Sequence, residues 1–125
     1  MNAGQFTKNV IELDDNILFA GIIEKSGHLR ASNQREAVDE TFKGRNLEMI
    51  YSQSVYVADL RKILSSSFGN LNSVNYVYEK LKILLFPVKD HVLLTFTGKE
   101  TKTDDLAQNI RRYMDSLTDL DLYSA

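Results

Sequence analysis

A chain of 125 residues with 43% hydrophobic and 26% charged side chains has the material for a packed core and too much apolar content for a disordered one. Its 15 basic and 17 acidic residues are scattered and leave a net charge of −2, so the basic stripe of a nucleic-acid binder is missing. The absence of cysteine excludes disulfides, thiolate metal sites and cysteine nucleophiles.

No apolar run approaches the roughly 20 residues of a membrane span, and MNAGQFTKN has neither the apolar core of a signal peptide nor a myristoylation start. A cytoplasmic protein with neither membrane nor nucleic acid as partner is the expectation. With one proline, no repeat and no low-complexity tract, residues 1–125 are expected to form a single domain.

In chain order, Phe6, Val10 and Leu13 recur at helical spacing and predict a short helix that ends at Asp14-Asp15-Asn16. ILFAGII follows, apolar at every position, as in a strand covered on both faces and placed at the centre of a sheet. Lys25-Ser26-Gly27 makes a hairpin turn into a return strand where Leu29 and Ala31 alternate with His28, Arg30 and Ser32. Asn33 to Arg45 is polar and reads as a loop with one helical turn.

Leu47, Ile50, Val57, Leu60 and Leu64 then predict a helix from about residue 46 to 67, stopped by Phe68-Gly69-Asn70. Strands are predicted over 74–78, 81–86 and 92–96, joined by turns so short that the three must form an antiparallel meander. Leu106, Ile110, Tyr113, Met114 and Leu117 define a last helix, with Thr101 and Asp104 as its capping pair. The order α-β-β-α-β-β-β-α predicts an α+β fold: a five-stranded antiparallel sheet in a three-layer α-β-α sandwich, with the terminal helices sharing one face.

Few residues carry chemistry. His28 and His91 sit beside tight turns and read as exposed surface groups, too few for a metal site. Asp14-Asp15 and Asp104-Asp105 lie at helix boundaries, where carboxylates cap turns or favour the helix N-terminus. Ser65-Ser66-Ser67 has no elbow and no base, and the isolated glycines build neither a P-loop nor a dinucleotide fingerprint. No catalytic, cofactor-binding or metal residue is assigned, and no enzyme activity is expected. Gly21, inside a buried strand, marks a close approach, expected to be a helix crossing.

Two features point to partners. Arg35-Glu36, at the exit of the second strand, either contacts a partner or holds the loop leading to the long helix. That helix carries more apolar surface than one sheet face needs, including Ile50, Tyr51, Val55 and Tyr56, so a second contact is expected there.

The element order resembles that of the roadblock/LC7 family, with profilin-like and PAS-like folds as architectural relatives. Phe19, Ala20, Gly21, Gly27, Arg35, Glu36, Phe86 and Pro87 also match the pattern of an uncharacterised family of small archaeal proteins. The roadblock resemblance implies a homodimer formed through the central helix and a sheet edge. It further implies a non-enzymatic scaffold or regulatory adaptor, linked to small GTPases or signalling complexes. The alternative is a PAS-like sensory module holding a small ligand between the long helix and Leu29, Ala31 and Val92, which needs a cavity of at least a few hundred cubic ångströms.

Overall fold

The computed structural model describes residues 1–35 and 45–124, without the side chains of 45–48, 55 and 57–63. The elements follow the expected order: α1 (Ala3–Glu12), β1 (Ile17–Ile23), β2 (Leu29–Gln34), α2 (Arg45–Phe68), β3 (Val74–Val77), β4 (Leu81–Val88), β5 (His91–Gly98) and α3 (Thr103–Asp115). The strands form one antiparallel sheet in the order β2-β1-β5-β4-β3. The centre is therefore β5 and not β1, because β1 takes β2 on one side and β5 on the other.

Local chemistry sets the boundaries. Asn2 caps α1 by accepting the Gln5 N–H at 2.9 Å, and the helix buries Ala3, Phe6, Thr7, Val10 and Ile11. Leu13, expected on that apolar face, is instead the C-cap and is 40% exposed. At the β1–β2 turn the Gly27 N–H donates to the Glu24 carbonyl at 2.9 Å, with Gly27 at φ 85°. Gly69, at φ 80°, ends α2 with its N–H on the Ser65 carbonyl at 3.0 Å.

Three expectations need adjustment. The loop expected over 33–45 yields Asn33 and Gln34 to β2, while its residues 36–44 lie outside those described. The N-cap of α3 is Lys102, without a side-chain capping bond, so Thr101 and Asp104 do not form the capping pair. Instead the buried Thr101 closes a turn through its N–H to the Gly98 carbonyl at 3.2 Å. Finally, β4 runs through Pro87, which interior strands rarely tolerate. Pairing of β3 with β4 stops at Leu85, so the amide hydrogen that Pro87 lacks costs that ladder nothing.

Two cores flank the sheet. On one face Phe6 and Val10 of α1 meet Leu106 and Ile110 of α3 over Ala20, Ile22, Leu84, Phe86 and Leu93. On the other, Phe19, Ile23, Ile83, Leu85, Val92, Leu94 and Phe96 pack against Ile50 and Tyr51 of α2. The terminal helices thus share a face and α2 covers the opposite one. Parity along β1 would send Ile17 and Phe19 to the same side. A bulge between them breaks it, so Ile17 joins the α1 core while Phe19 faces α2.

Gly21 lies on the α2 side of β1, and its nearest neighbours are side chains of the sheet rather than a helix. A Cβ at this position would sit 2.9 Å from the Phe19 ring and 2.9 Å from Leu29 Cδ1. The glycine makes room for Phe19, whose ring stacks on Phe96 at 5.0 Å between centroids. Gly21→Val should overpack this cluster and lower stability by about 2 kcal/mol, read from the midpoint of urea unfolding at unchanged m-value.

Candidate interaction surface

The apolar excess of α2 resolves into two faces. Ile50 and Tyr51 are half-buried against the sheet, Ser54 is buried and donates to the Ile50 carbonyl at 2.7 Å, and burial pushes the Tyr51 phenol above its usual pKa. Met49, Tyr56, Leu64 and Phe68 remain exposed, Tyr56 at 67%. Gln53 follows Met49 by four residues and precedes Tyr56 by three, so these share one flank of the helix. Gln53 also lines a cleft with Tyr76 and Tyr78, which directs that flank toward β3.

The sheet edge at β3 continues this surface. Tyr76, Val77 and Tyr78 are exposed one after another, Val77 at 66%. At the opposite edge β2 presents Arg30, Ser32 and Gln34 outward, and α1 shields it: Asn33 donates to the Gly4 carbonyl at 3.2 Å and to Thr7 Oγ1 at 2.8 Å. Polar outward residues and a covering helix blunt one edge, whereas the other displays aromatic residues beside unpaired backbone.

Arg35 is engaged within the chain. Its Nε donates to the Ile17 carbonyl at 2.8 Å, and Nη2 donates to Ile11 at 2.6 Å and Asp14 at 3.1 Å. The guanidinium thereby ties the end of α1 to the start of β1 and to the exit of β2. Glu36 lies outside the described residues, and Val55 sits on α2 with its side chain outside them. Arg35→Ala would leave three part-buried carbonyls without that donor, so a loss of about 2–3 kcal/mol in chemical denaturation is expected.

A second cluster forms at one end of the sheet, and it corrects the reading of His91. His28 is exposed, 2.8 Å from Ser26 Oγ through Nδ1, as expected. His91 is not: its imidazole is buried, with Nδ1 2.7 Å from Asp90 Oδ1 and Nε2 without a partner. The Tyr123 ring stands edge-on to it at 5.0 Å, and the Tyr123 hydroxyl donates to Asp90 Oδ2. A turn residue beside polar neighbours reads as exposed, but the returning segment after α3 covers it. A carboxylate beside a lone histidine was visible in Asp90-His91; the tyrosine completing the cluster is 32 residues away and sends no local signal.

The Tyr123 hydroxyl, with help from His91, holds the Asp90 carboxyl down to about 2. Because the folded value lies below the ordinary 3.8, this contribution to stability is complete above about pH 4. It is lost as the pH falls through 2. Asp90→Asn should remove this part of the acid dependence, flattening the stability profile between pH 4 and 2 in pH-resolved thermal melts.

No family model and no curated protein matches the sequence. Solved structures do. A roadblock/LC7 domain from Streptomyces avermitilis superposes with a TM-score of 0.66 over 93% of this chain and 94% of its own, at 10% identity. The chain has the roadblock/LC7 fold. An MglB structure described as a tetrameric arrangement gives 0.65 at 12% identity, covering 90% of this chain and 82% of that one. MglC from Myxococcus xanthus gives 0.63 at 14% identity, covering 89% and 92%. No helix among the described residues is long and apolar enough to cross a membrane.

Proposed function

We propose that this roadblock-fold protein is a non-enzymatic, cytoplasmic scaffold or regulatory adaptor that self-associates through α2 and the β3 edge. The observation that carries the reading is the exposed surface of Met49, Tyr56, Tyr76 and Tyr78 on the α2 side, with Val77 exposed on the other face of the same edge strand, set against a polar, covered edge at β2. Pairing β3 with its symmetry mate would satisfy the edge backbone while burying these side chains. The same patch on two copies gives a closed, isologous dimer. Ile50 and Tyr51 support the surface from beneath, Val55 is a proposed contact by its place in α2, Arg35 acts as the anchor of its own chain, and the contact expected of Glu36 lies outside the described residues.

The MglB structure with its tetrameric arrangement supports self-association as a habit of this fold. A small GTPase or signalling complex is the partner class that the roadblock resemblance implies. Membership in the small archaeal family rests on Phe19, Ala20, Gly21, Gly27, Arg35, Glu36, Phe86 and Pro87 alone. The sensory alternative receives less support. Among the described residues the cleft between α2 and the sheet at Ile50, Ser54, Ile83 and Leu85 measures about 60 Å³, far below a ligand site, and Ala31 faces the opposite core.

Tyr56→Lys combined with Tyr76→Lys places four charges in the proposed interface while touching only exposed positions. Dissociation should weaken binding by at least about 100-fold, read by sedimentation equilibrium at micromolar concentration with an unchanged thermal melt of the monomer. A wild-type chain that is monomeric throughout that range would overturn the reading.

A further inference from the structure

The buried end of the sheet carries features that neither the core nor the proposed dimer requires. Lys89 occupies the left-handed region at φ 52°, among the described residues the only one other than glycine with positive φ. This residue and the two after it all hold the segment that follows α3: Lys89 Nζ donates to the Leu120 carbonyl, Asp90 accepts from the Tyr123 hydroxyl, and His91 meets the Tyr123 ring. The first hairpin closes on the same tyrosine. Arg30 lies 5.0 Å above its ring, and Lys25 Nζ is 3.8 Å from Asp90 Oδ2.

Residues 117–124 have no helix or strand of their own, and they seat Leu120 and Leu122 in the α1–α3 core. Tyr123 itself stays 62% exposed, so its ring rests on the surface with its hydroxyl on Asp90. Beneath it, His91 has its Nδ1 side on Asp90 and its Nε2 buried without a hydrogen bond. The Asp90 carboxylate can only accept, so Nδ1 carries a proton in that contact and Nε2 is the ring nitrogen left without a partner. A buried ring nitrogen without a partner favours an alternative state in which the cover lifts.

We propose that residues 117–124 are a latch over His91: the segment opens as a unit while the sheet and helices stay folded. Opening uncovers an imidazole that Asp90 already holds through Nδ1, and leaves Nε2 to take from a partner the hydrogen bond it lacks when the segment is closed. Tyr123 is the catch, and the strained Lys89 turn links its closure to the β4–β5 hairpin.

The two histidines allow a test with an internal standard. Diethyl pyrocarbonate acylates neutral imidazole nitrogen, and peptide mass spectrometry separates the two sites. In the intact wild-type chain His28 should react at once, and His91 slowly but well before the β5 amides exchange with deuterium. Tyr123→Ala should speed His91 at least 10-fold and leave His28 unchanged. Tyr123→Phe, which keeps the ring and loses the hydroxyl, should speed it several-fold and guards against misfolding of the larger truncation. If His91 reacts only as fast as the β5 amides exchange, or if Tyr123→Phe leaves its rate unchanged, there is no latch.

Discussion

Everything in this molecule follows from the burial of β5 on both faces. From His91 to Thr97 every residue is buried. A strand of this kind cannot lie at a solvent edge or under a single layer of helices. It requires a neighbour on each side, which β1 and β4 supply, and a helical layer above and below. The second requirement explains the division of labour among the helices: two short amphipathic ones are needed to cover one face, and one long helix spans the other.

The sheet meets this constraint by local adjustments. The bulge in β1 lets successive apolar side chains serve different cores, sending Ile17 to α1 and Phe19 to α2. Gly21 gives up a side chain so that the Phe19 ring can lie flat against Phe96. Arg35 then gathers carbonyls where α1, β1 and β2 meet, a point at which chain reversal leaves several acceptors without ladder partners. An arginine suits this role because its donors point in several directions from one rigid plane.

Element order and fold class were readable in the sequence because strong periodicities and short turns leave few topologies. The three consecutive strands had to meander, and the long helix had to cross over. Strand order was less accessible. ILFAGII is apolar throughout while the HVLLTFTG of β5 carries a histidine and two threonines, so only pairing across more than seventy residues decides that β5 occupies the centre. The candidate surface was half visible: the excess apolar stripe of α2 was plain, but Tyr51 and Tyr56 differ by five residues and therefore face different ways. Tyr76, Val77 and Tyr78 read as an ordinary strand until the sheet order exposes them at an edge. His91 was misread for the same reason in reverse, since the residue that buries it comes from the far end of the chain.

The two edges of the sheet carry opposite solutions to one problem. At β2 the unpaired backbone is protected by polar outward residues and by α1, the usual means of keeping an edge solitary. At β3 the strand is cut to four residues but keeps three large side chains on or beside it. Shortness alone lowers the gain from adventitious pairing, because few backbone bonds are available. Pairing then depends on what lies beside the strand, and here that is the aromatic flank of α2. Backbone complementarity is generic and side-chain complementarity is not. An edge that is too short to bind by its amides, yet set within an aromatic surface, selects a specific partner over a random strand.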